Sequence, residues 1–340
     1  MSRIREAIKE LLGKKDLSDE LMANVMNEIM EGSATDAQIG AFLVALRMKG
    51  ESPSEICQAA KIMRQKALKI EPNLEEGQQL IDTCGTGGDG ANTFNISTTS
   101  AFVVAGAGVK VAKHGNRSIS SRSGSADLLE ALGINISMPP EKVQRAIEEI
   151  GIGFLFAPSL HPAMKHVIGP RRELGVRTVF NVLGPLTNPA GANCQVLGVF
   201  DKELVSVLAK VLQLLGEESA WVVHGLDGLD EISLCDKTRV ASLKHGQIDE
   251  FDFDPRKYGF TFCDSSELKG GSPEENAKIT INLLKGEKGP KRDVVLLNAA
   301  AAILVAQMED NFKDAIKRAE DSIDSGMALK KLEDLREFSK

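Results

Sequence analysis

Residues 82–98 read DTCGTGGDGANTFNIST, placing four glycines in the six positions 85–90, between the strand-like QLID (79–82) and a helix start near Asn95. By spacing alone Gly85, Gly87 and Gly90 match GxGxxG, the dinucleotide-binding fingerprint. Their surroundings exclude that reading. A dinucleotide site wants an acidic residue about twenty positions further on to hold the ribose hydroxyls. From Gly90 to Ala126 there is no Asp or Glu, and the stretch supplies Lys110, Lys113, His114, Arg117 and Arg122 instead. No Lys-Ser/Thr pair follows the glycines, so a nucleoside-triphosphate loop is excluded too. What remains is a loop whose bare backbone N–H groups cradle phosphate oxygens, backed by a helix N-terminus at Asn95–Thr98 and faced by a basic loop. A single glycine here would need only a tight turn, but four beside an acid-free basic stretch point to a heavily phosphorylated anion.

Working outward, the chain from residue 79 repeats strand, glycine-containing loop, helix. The strands are QLID, VKVAK (109–113), GFLFA (153–157), QVLGVF (195–200) and AWVVHG (220–225), with helical patterns such as SADLLEALG and KELVSVLAKVLQLLG between them. This alternation predicts an α/β fold: a mostly parallel central sheet flanked by helices, with ligands at the carboxyl ends of the strands. Residues 3 to about 70 read as helices. Ile4, Ile8, Leu11 and Leu12 make one apolar face, and Leu21, Val25, Met26 and Ile29 another. TDAQ (35–38) and SPSE (52–55) are capping boxes opening two more helices. So short a bundle has more apolar surface than it can bury alone, and must pack on the rest of the chain or on a second copy. Residues 158–191, rich in Pro, Gly and basic residues, interrupt the rhythm and either rejoin the helical region or line the cleft.

The formal charge of −7, with one Trp and one Tyr, argues against a general nucleic-acid surface. Five widely spaced cysteines without a CxxC pair suggest neither a disulfide framework nor a zinc site. The longest apolar run, AFVVAGAGV, is too short to span a bilayer, and the amphipathic N-terminus is not a signal peptide, so a cytoplasmic setting is expected.

Three further stretches carry chemistry. KHGNRSISSRSGSAD (113–127) offers the Lys113 and Arg117 charges with Asn116 and five serines as short donors. A solvated linker would fit such a composition, but this one is wedged between a buried strand and a helix capped near Ser125. GLDGLDEIS (225–233) places Asp230 and Glu231 at a strand end, where paired carboxylates hold hard cations that also bridge phosphates; with Asp89 in the glycine loop, magnesium is the expected cation. In HPAMKH and RRELGVRTVFN, Arg171 and Arg172 can form a forked clamp for a carboxylate beside His161. From these residues alone, a solvated basic helix start fits as well.

Together with RTVFNVLGPLTNP and LNAAAAI, these motifs make the chain resemble, nearly end to end, the anthranilate phosphoribosyltransferases, which are nucleoside phosphorylase-like enzymes of tryptophan biosynthesis. The resemblance implies transfer of the phosphoribosyl group of phosphoribosyl pyrophosphate to anthranilate. It implies a helical domain at 1–72, joined by part of 160–190, hinged on an α/β domain at 73–340, and a homodimer formed through the helical domains. It places Gly85, Gly88, Asp89, Thr93, Asn95, Ile96, Ser97, Thr98, Lys113, His114, Gly115, Asn116, Arg117, Ser118, Ile119, Ser120, Ser121 and Ser125 around phosphoribosyl pyrophosphate. Ser97, Asp230 and Glu231 would hold Mg2+, two ions per subunit, and Gly85, Asn116, His161 and Arg171 would contact anthranilate. It fixes no general base, His114 being the one candidate proton acceptor. Two rivals share the scaffold: a pyrimidine nucleoside phosphorylase, which would use free phosphate without the acidic pair, and a non-catalytic nucleic-acid binder, which the acidic charge disfavours.

Overall fold

A computed structural model describes residues 2–118 and 122–340. Four helices come first: α1 (Arg3–Leu12), α2 (Asp19–Met30), α3 (Asp36–Lys49) and α4 (Pro53–Lys66). Their starts are written locally. Ser18 caps α2, and both capping boxes form as the sequence predicts: Thr35 with Gln38 at α3, and Ser52 with Glu55 at α4, where Pro53 takes the first turn.

Seven strands make one sheet in the order β3-β2-β1-β4-β5-β6-β7. β1 (Leu80–Gly85), β2 (Lys110–Gly115), β3 (Ile152–Phe156), β4 (Cys194–Gly198) and β5 (Ser219–Gly225) are parallel. β6 (Thr238–Lys244) and β7 (Gln247–Phe253) add an antiparallel hairpin that the sequence reading did not anticipate. Its turn is His245–Gly246 with φ of 51° and 73°, the left-handed pair a two-residue hairpin needs. β7 (QIDEFDF) is a charged, largely exposed edge strand, so its alternation never reads as core.

Neighbouring residues of β4, β5 and β6 enter different cores. Val196, Trp221, Val223 and Val240 face a core shared with α5 (Ile96–Gly106) and the C-terminal helices. Cys84, Leu197, Val222, Ala241 and Leu243 face the opposite way. There they meet the helix Glu203–Leu215, and beyond it the inner faces of α1 to α4; Val167, Phe180, Leu183 and Leu186 join the same core. The surplus apolar surface of the N-terminal helices is therefore buried on the rest of the chain. Arg64 of α4 fixes the contact, donating from Nε to the Leu186 carbonyl at 2.7 Å and from Nη2 to Glu217 at 2.7 Å.

β1 is the switch point of the parallel part: the chain builds outward through β2 and β3, then returns to β4 and β5 on the other side. The crevice at such a point, at the strands' carboxyl ends, is where open α/β sheets bind ligands.

Candidate functional site

β1 and β4 end side by side, with Gly85 in register with Gly198. The pair leaves a gap in the sheet's end that the loop after β5 fills. A Cβ on Gly85 would lie 2.7 Å from Asp230 Oδ2, and one on Gly198 would lie 1.6 Å from the Asp230 carbonyl oxygen. The first glycine of the fingerprint-like motif thus makes room for a carboxylate rather than for a nucleotide. Gly87, Gly88 and Gly90 have φ of 66°, 79° and 74°, so the loop is a run of left-handed turns presenting its amides. The Gly87 N–H donates to Asp230 Oδ2 at 2.7 Å, and the Asp230 N–H reaches Asp89 Oδ2 at 3.4 Å. Glu231 Oε1 accepts the Ser97 N–H, in the first turn of α5, at 3.2 Å.

Asn298 pins this acidic loop from below. Buried on the helix Pro290–Val305, it accepts the Ile232 N–H and donates to the Ile232 carbonyl, each at 3.0 Å. Burial pushes the Asp230 and Glu231 carboxyls above their ordinary range; nearby Asp89 and Glu231 add to the shift at Asp230, while Lys113 opposes it at Glu231. Two acids held at a cost in this way suit a divalent cation. Among the described residues no three His, Cys, Asp or Glu side chains form a ready-made cage. A cation here would complete its shell with oxygens of a phosphorylated ligand.

β2 brings Lys113, His114 and Asn116 to the same end. Lys113 is buried, and its Nζ donates to the Thr83 carbonyl at 2.5 Å. The His114 N–H donates to Asp82 Oδ1 at 3.1 Å; buried Asp82, pushed up to about 6 by desolvation, also accepts Asn188 Nδ2 at 2.8 Å. His114 and His161 lie with ring centroids 5.2 Å apart, both buried, each with an Nε2 that has no hydrogen-bond partner among the described residues. Desolvation lowers them to about 3 and about 4, helped at His114 by His161. So depressed a basicity makes His114 a poor proton acceptor.

Gly115 packs against Ser125 Oγ and Phe154, and Asn116 N–H donates to Ser125 Oγ at 3.2 Å. The Arg117 guanidinium is spent on Asp127 and Glu130, so the basic loop offers less free charge than its sequence suggests. Ser118 N–H donates to Asp127. Ile119, Ser120 and Ser121 lie outside the described residues. Thr93 makes an isolated bridge to Lys269, while Ile96 and Thr98 are buried in α5. Arg171, on the helix Lys165–Leu174, has no acidic partner among the described residues; its guanidinium lies over Phe180 at 5.4 Å, and burial lowers its pKa. The neighbouring Arg172 is exposed.

The sequence reading missed Asp82, Asn188 and Arg177. Arg177 reaches the glycine loop from the segment after that helix, donating from Nη2 to the Gly88 carbonyl at 2.5 Å while stacked on Phe200 at 3.8 Å. Only the RTVFN motif hinted at it.

An anion cradle and a half-buried acidic pair at the switch point of a parallel sheet, with a helical bundle alongside, define a glycosyl transferase. The model of the glycosyl transferase family's a/b domain matches residues 77–329, and that of its helical bundle domain residues 5–67. An anthranilate phosphoribosyltransferase from Syntrophobacter fumaroxidans is 55% identical over 99% of both chains. The crystal structure of anthranilate phosphoribosyltransferase from Thermus thermophilus superposes with a TM-score of 0.93 at 45% identity, over 100% of this chain and 99% of that one. The Saccharomyces cerevisiae enzyme in complex with phosphoribosyl pyrophosphate and magnesium gives 0.88 at 32%, over 99% and 97%. The chain belongs to the anthranilate phosphoribosyltransferase family.

Proposed function

We propose that the protein transfers the phosphoribosyl group of phosphoribosyl pyrophosphate to the amine of anthranilate, releasing pyrophosphate, as a step of tryptophan biosynthesis. The observation that carries this reading is the meeting of the glycine loop, the start of α5, Lys113 and the Asp230–Glu231 loop at one end of the sheet. Residues Gly85–Thr98 and Lys113–Ser125 hold the phosphorylated sugar: backbone N–H groups and the α5 N-terminus take its anionic oxygens. Asp230, Glu231 and Ser97 would hold magnesium, two ions per subunit. Bound there, the metal supplies positive charge beside the leaving diphosphate.

The C1–O bond to pyrophosphate breaks, an oxocarbenium-like centre develops, and the C1–N bond forms; the amine then releases its proton. An aromatic amine is already neutral near pH 7, so attack needs no strong base, in keeping with the weak basicity of His114. Arg171, half-buried and without a carboxylate partner among the described residues, is suited to the anthranilate carboxylate, with Asn116 and His161 alongside.

A helical unit at 1–72 joined by part of 160–190 and hinged on the α/β unit at 73–340, and a homodimer through the helical units, where Leu12 and Met48 are exposed, complete the reading. Among the described residues no helix is long and apolar enough to cross a membrane. The test is loss of anthranilate fluorescence with phosphoribosyl pyrophosphate, with and without magnesium. Magnesium-dependent loss is expected; no loss from folded protein refutes the reading, and phosphate-dependent cleavage of uridine would replace it with the phosphorylase.

A further inference from the structure

Asn276 plays no part in the site described so far, yet both ends of its amide are committed. It is 1% exposed, on the helix Pro273–Leu284, and its Oδ1 accepts the Gly271 N–H at 2.8 Å. Its Nδ2 donates to Asn95 Oδ1 at 3.0 Å, across 181 residues of chain. Asn95 Oδ1 also accepts Ser123 Oγ at 3.2 Å, and Asn95 Nδ2 donates to the Ser123 carbonyl at 3.0 Å. The surrounding backbone leaves Asn276 little freedom. A Cβ on Gly270 would lie 2.7 Å from both Asn276 Oδ1 and the Phe94 backbone, and the Gly270 N–H donates to the Asn92 carbonyl at 3.0 Å.

These bonds run in one direction. The Gly271 N–H can only donate, so it fixes which end of the Asn276 amide is oxygen and leaves Nδ2 facing Asn95. A donor there obliges Asn95 to present Oδ1, which turns its Nδ2 toward Ser123, at the head of the loop leading into α6 (Ser125–Ala131). A second Nδ2 hydrogen of Asn95 has no protein partner among the described residues. Asn95 itself is the N-cap of α5 but makes no capping bond, so it is the Asn276 contact rather than the helix that orients it.

We propose that Asn276 is a positioning residue for the phosphorylated substrate: it sets the amide sense of Asn95, and through it ties the start of α5 to the Ser123 loop. The inference rests on the reading that these two segments hold phosphoribosyl pyrophosphate. Asn276→Asp keeps the size and the bond from Gly271 but places an acceptor against Asn95 Oδ1. Asn95 must then rotate its amide, turning its own oxygen onto the Ser123 carbonyl.

The experiment is a double-mutant cycle of Asn276→Asp and Asn95→Ala. It reads phosphoribosyl pyrophosphate affinity by calorimetry with magnesium, and the anthranilate KM from turnover. Asn276→Asp should weaken phosphoribosyl pyrophosphate by about tenfold, the scale of one misplaced buried hydrogen bond, leave the anthranilate KM unchanged, and add nothing once Asn95 is Ala. An equal loss for both substrates, or the same loss in the Asn95→Ala background, would make Asn276 merely structural and overturn the proposal. Should Asn276→Asp not fold, Asn276→Ala is read by the same cycle. Wild-type protein that fails to bind phosphoribosyl pyrophosphate would sink the functional reading, whereas binding that Asn276→Asp leaves untouched would sink this one alone.

Discussion

Gly198→Ala tests whether the paired glycines at the sheet's end shape the acidic loop. The new Cβ would sit 1.6 Å from the Asp230 carbonyl oxygen, 1.4 Å inside the 3.0 Å that real Cβ contacts keep, and 2.6 Å from the Asp230 carbonyl carbon. Both atoms are backbone, so no rotamer relieves the clash. The loop must lift, and the Gly87 N–H to Asp230 bond at 2.7 Å lifts with it. The other side cannot give way cheaply, because the Gly198 carbonyl accepts the Thr86 N–H at 2.9 Å and Asn298 holds Ile232. Overpacking of this kind costs about 1–3 kcal/mol of stability, and a carboxylate displaced by about 1 Å costs on the order of 100-fold in turnover. Thermal unfolding combined with magnesium titration of activity reads both. Gly169→Ala is the control: it lies within the helix Lys165–Leu174, where among the described residues nothing beyond its chain neighbours and its own helix backbone comes within 4 Å of its Cβ, and it should stabilise by about 0.5–1 kcal/mol. A Gly198→Ala enzyme with wild-type magnesium dependence and stability would refute the argument.

Asp230→Asn with Glu231→Gln should abolish the magnesium response yet raise the Tm of the metal-free protein. The folded pKa values lie above the ordinary ones, so the charged forms cost stability as pH rises, and the gain should be larger at pH 8 than at pH 5; equal Tm at both would contradict it. Arg171→Ala should raise the anthranilate KM by about 10- to 100-fold, the worth of a charged bidentate contact, with the phosphoribosyl pyrophosphate KM little changed; equal effects would contradict the clamp. His114 and His161 are depressed below the unfolded imidazole value, so their contribution is complete above about pH 6.5 and is lost as pH falls, by about 2 kcal/mol each at pH 5. His161→Phe should flatten the fall of Tm over that range, and an unchanged slope would refute the buried-neutral assignment.

What could be read from sequence was local. Capping boxes, strand–helix alternation and the absence of acids after Gly90 lie within a few dozen residues of each other, and each is a direct consequence of backbone chemistry. The β6–β7 hairpin escaped because an edge strand bathed in water need not be apolar. Arg117 misled because the acids that neutralise it, Asp127 at the motif's last position and Glu130 beyond it, stand on α6, ten and thirteen residues along the chain, and only the fold brings them to the guanidinium. Asn298 and Asn276 were invisible as site residues: each is one amide in an ordinary helix, and its meaning comes from a loop 66 or 181 residues distant.

The shared core of α1 to α4 and the helix Glu203–Leu215 also sets a timetable for synthesis. The contact that closes it, Arg64 to Glu217, spans 153 residues. At ribosomal speeds of about 5–20 residues per second, the first four helices wait about 8–30 s for the wall they pack on. Through that interval the face of α4 that packs on the helix Glu203–Leu215 stays uncovered on the nascent chain. The N-terminal bundle is thus made first and finished late, and a chaperone that binds short apolar helices would meet its best target there.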